Sequence, residues 1–103
     1  MYALGEGVQR DYAEAARWYR RAAEQGNAQA QYWLGRAYAL GEGVTQNFVD
    51  AHMWLNLAAT YALRASDAAE LDRASRARDG IAQKMTPAQL AEAQRLAREF
   101  KPK

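Results

Sequence analysis

The sequence contains no cysteine and only one histidine, His52, among its 103 residues. Without cysteine the chain has no disulfide, no thiolate metal ligand and no cysteine nucleophile, and the redox compartment leaves no trace in the sequence. With one imidazole, a zinc site built on two histidines and a proton relay between two histidines are excluded. The sequence therefore lacks most of the usual residues of a metal site or an active site, and we expect no metal and no cofactor.

Long apolar runs and a strong charge imbalance are missing as well. The longest stretch without a charged residue is 51–63, which is shorter than the roughly 20 apolar residues that cross a bilayer. The N-terminus shows neither the basic start nor the apolar core of a secretory signal. The 14 Lys plus Arg and 12 Asp plus Glu are interleaved and leave a net charge of +2. We expect no membrane span and no nucleic-acid partner. The sequence indicates no particular cellular compartment.

β-Branched residues are few: three valines, three threonines and one isoleucine. Alanine, by contrast, occurs 24 times, and Leu, Gln, Glu and Arg make up much of the remainder. These are the residues that favour helix over strand. The composition predicts one small all-α domain.

An internal repeat is the most informative feature of the sequence. At an offset of 36 residues, segments 2–8 and 38–44 both read YALGEGV. The same offset pairs Trp18 with Trp54 and the Ala-Ala pair at 22–23 with that at 58–59. A period of 20–50 residues in a helical chain indicates stacked pairs of antiparallel helices.

Residues that typically begin or end helices mark both helices of a pair within one repeat. The first runs from about residue 28 to residue 40, after Asn27, and ends at Gly41. The second begins near Phe48 with Asn47 as its N-cap. Its counterpart in the first copy runs from residue 12 to residue 25 with Asp11 as the cap. We expect Trp18 and Trp54, set between small alanines, to fill the core.

These positions resemble the signature of one family. The chain is similar to the Sel-one-like repeat (SLR) family, relatives of the tetratricopeptide repeat, over about residues 1–61. The second copy departs from the signature at Asn47, where the family usually has Asp. The resemblance implies a right-handed α-solenoid, and adaptors or scaffolds rather than catalysts; bacterial members serve in envelope, signalling or host-interaction complexes. The matching string is Asp11-x3-Ala15-x2-Trp18-x3-Ala22-Ala23-x2-Gly26-x3-Ala30-Gln31-Tyr32-x-Leu34-Gly35-x2-Tyr38-x2-Gly41-x-Gly43-Val44.

The last forty residues leave the repeat pattern and predict two further helices. Asp67 with Glu70 suggests a capping box for a helix that extends to about Met85. Thr86, followed by Pro at the first helical position and Gln89 at the third, marks the start of the last helix. We interpret 1–26 as a partial first repeat, 27–63 as a complete second repeat and 64–103 as a C-terminal helical cap. This ending resembles the tail common in bacterial SLR proteins.

Several residues suggest chemistry but have a simpler explanation. Glu6 and Glu42 lie between glycines, yet no dinucleotide or P-loop motif surrounds them, and we interpret both as solvated residues of equivalent turns. We interpret His52 as a partly exposed helix histidine. Interspersed acidic residues favour a self-paired surface over a nucleic-acid patch for five arginines: Arg10, Arg17, Arg20, Arg21 and Arg64.

One face of the helix at 28–40 avoids the signature positions. In helix-pair solenoids the first helix of each pair lines the inner groove, and an exposed Trp with a nearby Arg is typical of a binding surface. The alternative is that Trp33 packs against the first helix of the next repeat or against the cap. The residues of this face, which we predict to bind a partner, are Gln29, Trp33, Arg36, Ala37 and Leu40.

These observations favour a non-catalytic scaffold that binds a protein or peptide through its groove. The alternatives are a hydrolase acting on cell-wall-like ligands, which the cysteine-rich branch of the family suggests and this cysteine-free chain does not resemble, and a nucleic-acid-binding helical repeat. Residues 1–4 are all that this chain has of the leading helix of the first copy. We therefore expect either a longer repeat array or a homodimer through the N-terminal face.

Overall fold

The structure is a computed structural model, which describes residues 6–103 and, from residue 11 onward, their side chains. The described residues form only helices, which confirms the all-α prediction. The five are α1 (Glu6–Glu24), α2 (Ala28–Leu40), α3 (Phe48–Arg64), α4 (Ala68–Ala82) and α5 (Pro87–Glu99).

The caps of α2 and α3 lie where the sequence predicts them. The side chain of Asn27 accepts a hydrogen bond from the backbone N of Ala30 at 2.8 Å, and that of Asn47 accepts one from Asp50 at 3.0 Å. Each asparagine thereby satisfies a helical N–H that has no partner within the helix. After α2 the chain reverses through Gly41, whose φ of 72° is left-handed.

The predicted start of the first copy's helix is wrong. Asp11 is not a cap, because α1 already begins at Glu6 and runs through Asp11 without interruption. Glu6 and Glu42 are therefore not in equivalent turns, since Glu42 lies in the loop between α2 and α3. In the second copy the preceding helix lies against the turn, and the backbone N of Asn47 donates to the carbonyl of Tyr38 at 3.0 Å. Because the same Glu-Gly-Val sequence is helical at 6–8 and forms a turn at 42–44, the difference lies in this contact, for which no described element stands before Asp11.

The two C-terminal helices follow their predicted signals with one difference. Thr86 and Gln89 form both hydrogen bonds of a capping box at the start of α5. Asp67 caps α4, but the carboxylate of Glu70 does not complete the box; it is buried and pairs with Arg73 at 3.2 Å. The fourth helix ends at Ala82, three residues before the predicted Met85.

The core surrounds α3, which packs against α2, α4 and α5, while α2 also packs against α1. Trp54, 4% exposed, lies at its centre, where its ring meets Phe100 edge-on with 5.5 Å between ring centroids. This confirms Trp54 as a core residue. A first cluster of buried residues contains Ala23, Ala30, Leu34, Trp54 and Leu57, and a second contains Tyr32, Leu55, Ala58, Ala59 and Ala74.

Trp18 does not share the environment of its repeat equivalent. Its side chain is 60% exposed and lies under the guanidinium of Arg21, 5.2 Å from the ring centroid. The physical reason is the neighbour that each helix has. Phe100, at the end of α5, covers the face of α3 that carries Trp54, whereas α2 is the described helix that packs extensively on α1.

Candidate partner-binding cleft

A cleft of about 410 Å³ opens between α1 and α2, beside the loop that follows α2. We call it the α1–α2 cleft. Its volume lies within the range of roughly 300–1,000 Å³ typical of ligand sites. The lining residues are Asp11, Tyr12, Ala15, Ala16, Tyr19, Trp33, Arg36, Ala37 and Glu42.

Helical spacing brings the lining residues of α1 onto one face. Tyr12 and Tyr19 are seven residues apart and so lie two turns apart on the same side, with Ala15 and Ala16 on the turn between them. The alanines are too small to fill the space between the two rings. This combination of aromatic walls with a small-residue floor creates the depression.

Trp33 forms the opposite wall and is held by three side chains. Its ring stacks on Tyr19 with 6.4 Å between centroids and 22° between the planes, and it meets the neighbouring Tyr32 edge-on at 5.1 Å. The guanidinium of Arg36 lies 5.4 Å from the centroid of the Trp33 ring. Although these contacts fix its orientation, Trp33 is still 39% exposed. A rigid, partly exposed indole is the kind of side chain that anchors binding partners.

The structure brings together three of the five residues predicted for the binding face. Trp33, Arg36 and Ala37 line the α1–α2 cleft, and Ala37 is itself buried at its base. Gln29 and Leu40 are exposed at opposite ends of α2 and lie outside the lining.

Six further residues of the lining were not predicted as part of this face. They are Asp11, Tyr12, Ala15, Ala16 and Tyr19 of α1 and Glu42 of the loop. The seven-residue spacing of the two tyrosines was a signal for a shared face on α1. No local signal, however, places that face opposite Trp33.

The loop after α2 rests directly on the backbone of α1. At Gly43, whose φ is 79°, an added Cβ would lie 2.2 Å from the carbonyl oxygen of Tyr12. This close approach brings Glu42 to the edge of the cleft and closes a second cavity of about 560 Å³. The second cavity is lined by Tyr12, Gly41, Glu42, Gly43, Val44 and Thr45, so the two cavities share Tyr12 and Glu42.

Comparison with known families agrees with this geometry of paired helices. The family model of the Sel1 repeat matches residues 1–27 and 28–60, which together are more than half of the chain. The chain belongs to the Sel1 repeat family. No curated protein and no solved structure shows significant similarity to it. Sel1 repeats generally mediate protein–protein interaction, and the α1–α2 cleft is formed by helices from both matched repeats of this Sel1 protein.

Within the described part of the Sel1 chain, no helix is long and apolar enough to traverse a bilayer. No cluster of three or more metal-ligating side chains occurs there either.

His52, predicted to be partly exposed, is buried at 4% exposure, and its Nδ1 has no hydrogen-bond partner among the described residues. Burial lowers the pKa of His52, the nearby Arg78 lowers it further, and Asp79 opposes them. Position 52 corresponds to Ala16 in the first Sel1 repeat, and Ala16 is buried as well. The helix pairing therefore buries this position in both copies.

The arginines considered as a nucleic-acid patch are engaged within the Sel1 chain. Arg17 pairs with Glu14 at 3.2 Å, Arg20 donates a hydrogen bond to the hydroxyl of Tyr38, and Arg21 lies over Trp18. Arg64 lies over Tyr61 in the same way. The side chain of Arg10 is outside the described residues. Of these contacts only that of Arg17 is with an acidic residue, whereas the other three arginines contact aromatic side chains.

Proposed function

We propose that the chain is a non-catalytic interaction module that binds a protein or peptide partner through α2 and the α1–α2 cleft. The observation that carries the proposal is the exposed but immobilised Trp33, whose ring is braced by Tyr19 and Arg36 at the wall of a ligand-sized cleft. Trp33 supplies the apolar anchor, and Arg36 with Gln29 supplies polar contacts. Binding then rests on preorganised complementarity without a chemical step.

We further propose that residues 64–103 act as the C-terminal cap of the repeat unit, after a partial repeat at 1–26 and a complete one at 27–63. Two contacts support the role of the C-terminal segment as a cap. Phe100 packs on Trp54, and the backbone N of Lys103 donates to the carbonyl of Glu24 at 2.7 Å. The outer surface of α5 carries the ion pairs of Arg95 with Glu92 and Glu99, as suits a helix that faces solvent.

The test of the binding function is a Trp33→Ala variant. The purified chain is used to capture partners, which mass spectrometry identifies, and the affinity of the captured partner is then measured for each variant. We expect Trp33→Ala to weaken binding by at least about 1 kcal/mol and to lower the free energy of unfolding much less than Trp54→Ala does, because the ring is partly exposed.

Two other tryptophans supply matched controls for this test. Trp18 is exposed and also lies under an arginine, but it is outside the cleft, so Trp18→Ala should preserve the binding of a partner other than a second copy of the chain. Trp54 is buried, so Trp54→Ala should cost roughly 3–5 kcal/mol of folding free energy. Equal affinity of Trp33→Ala and the unmodified chain would refute the proposed surface, and a large stability loss in Trp33→Ala would make this residue part of the core.

A second copy of the chain is another candidate partner. The observation that favours self-association is the pair of exposed aromatic side chains on α1, Tyr12 and Trp18. Exposed aromatic side chains on one helix are typical of interaction surfaces. We propose that α1 supports a homodimer or stacking within a longer repeat array.

A further inference from the structure

Two carboxylates of the α1–α2 cleft, those of Asp11 and Glu42, form no ion pair with the described side chains. Seven acidic residues elsewhere in the described chain pair with Arg or Lys at 2.7–3.5 Å. Asp11 and Glu42 form no such pair with any side chain among residues 11–103. The Oδ2 atom of Asp11 is also buried and without a hydrogen-bond partner in that range. An unpaired carboxylate at the edge of a cleft favours a ligand with a positive charge.

The aromatic walls favour the same kind of ligand. The faces of Tyr12, Tyr19 and Trp33 carry negative quadrupole potential, and a cation near such a face is stabilised. Arg36 already demonstrates this chemistry, because its guanidinium lies 5.4 Å from the centroid of Trp33. With two carboxylates and one guanidinium, the lining has a net charge of −1. Among the described side chains of the lining, the cation Arg36 lies at Trp33, and the carboxylate end near Tyr12 has none.

The shape of the surface favours an extended chain over a small free cation. The second cavity adjoins the α1–α2 cleft and shares Tyr12 and Glu42 with it. A peptide whose basic side chain enters the cleft at these two residues would therefore have room for its neighbouring residues along the loop 41–45. Exposed Leu40, which directly precedes this loop, offers an apolar contact for the same peptide.

We propose that the α1–α2 cleft binds an arginine or lysine side chain of an extended basic segment in a protein partner. Asp11 and Glu42 pair with the cation, Tyr12 packs against its aliphatic stem, and Trp33 anchors an adjacent apolar group. This proposal rests on the proposed binding function and adds the chemical class of the partner.

The test uses four pentapeptides, Ac-AAXAA-NH2, in which X is arginine, lysine, norleucine or glutamate. Each is titrated into the isotopically labelled full chain, and NMR follows the Trp33 indole N–H and the backbone amides of Asp11 and Glu42. We expect saturable shifts with the arginine and lysine peptides. Binding of the norleucine peptide should be about tenfold weaker, because it lacks two charge pairs and a cation–π contact.

Charge-removing variants locate the effect. Asp11→Asn combined with Glu42→Gln should weaken the arginine peptide about tenfold and leave the norleucine peptide unchanged. The change at Asp11 could disturb α1, whereas Glu42 lies in a loop. Glu42→Gln alone should therefore give part of this loss without affecting the helix. The matched control is Glu14→Gln with Asp50→Asn, which removes two carboxylates outside both cavities.

The outcomes separate this proposal from the proposed function. Equal shifts with all four peptides, no shift with any of them, or full affinity in the double variant would overturn the cation preference. None of these results affects the Trp33→Ala capture experiment, which tests partner binding without reference to charge. Loss of arginine-peptide binding in the Glu14 and Asp50 control would also overturn the proposal, because it would assign the effect to overall charge.

Discussion

At the scale of single residues, two buried polar side chains have pKa values shifted in ways that affect stability differently. His52 on α3 is almost inaccessible, and its pKa is lowered by burial and by Arg78. Glu70 on α4 is also buried, and burial raises the pKa of its carboxyl even though Arg73 opposes this shift. In both cases folding shifts the protonation equilibrium toward the neutral form.

The sign of the histidine effect follows from linkage. Because the folded pKa of His52 is below the ordinary value of 6.5, the unfolded chain binds a proton more readily. The contribution of His52 to stability is therefore full above pH 6.5 and is lost as the pH falls through the folded pKa. The contribution of Glu70 runs the other way: it is full below about pH 4.5 and is lost as the pH rises through its raised folded pKa.

We predict that His52→Gln removes the histidine part of the pH dependence. The measurement is urea denaturation of both proteins from pH 7.5 to pH 5, with the difference in free energy of unfolding taken at each pH. Glu70 is present in both proteins, so its contribution cancels. The unmodified chain should lose stability relative to His52→Gln as the pH falls below 6.5. A difference that does not vary with pH would contradict the buried, neutral state of His52.

At the scale of elements, the loop between α2 and α3 determines how this pair of helices meets α1. Gly41 and Gly43 both have positive φ, but their surroundings differ. A Cβ at Gly41 would approach Gln46 no closer than 3.4 Å, whereas one at Gly43 would collide with the backbone of Tyr12. Substitution of Gly41 therefore measures the cost of a left-handed conformation alone. Substitution of Gly43 measures that cost together with the loss of the contact with α1.

We predict that Gly41→Ala costs about 1 kcal/mol of stability and Gly43→Ala roughly 2–3 kcal/mol. The larger loss arises because the Tyr12 carbonyl is backbone and cannot move away without shifting α1. Denaturant unfolding measures both values, and the amide signals of residues 11–16 should shift in Gly43→Ala alone. Equal losses in the two variants would mean that the loop does not rest on α1.

The turn between α3 and α4 resembles the turn between α1 and α2, which the repeat pattern of the sequence did not predict. The connection from α3 to α4 has the geometry of that from α1 to α2, although residues after 63 leave the repeat pattern. Ser66, with φ of 59°, takes the place of Gly26, and Asp67 caps the next helix as Asn27 does. In both connections the capping residue's N–H also bonds back to the preceding helix, at Ala22 and at Ala62. Because serine is uncommon at a left-handed position, Ser66 gave no sequence signal for this turn.

At the scale of the whole molecule, neighbouring helices bury α3 more completely than α1. α3 lies between α2, α4 and α5, whereas α1 packs chiefly on α2. Trp18 and Tyr12 are consequently exposed on α1, and Trp54 is enclosed. The exposed aromatic residues of α1 are the basis for the proposed self-association.

We predict that the average mass of the chain in sedimentation equilibrium rises with concentration in the micromolar range, and that Trp18→Ala shifts it toward the monomer. The reason is the apolar area of an exposed indole, which association removes from water. Leu63→Ala is the matched control, because Leu63 is equally exposed but lies on α3. A chain that stays monomeric at high micromolar concentration would contradict the proposal.

The sequence alone predicted the elements that depend on short-range interactions. The starts of α2 and α3 and the capping box of α5 follow from Asn27, Asn47 and Thr86, whose hydrogen bonds reach three residues along the chain. The repeat itself, read from identical segments 36 residues apart, indicated the helix pairs and the family. None of these features requires knowledge of which helix is adjacent to which.

Only the tertiary structure determined which faces of the helices are buried by neighbouring helices. Trp18 and Trp54 occupy the same repeat position, yet one is exposed and the other buried, because burial depends on a neighbour such as α5 that is distant in sequence. The same reason applies to His52, whose burial the helix pairing determines, and to Asp11, which lies in α1 instead of capping it. The cleft needed both matched repeats and a loop resting on α1, so local sequence could identify Trp33 but not the residues that face it.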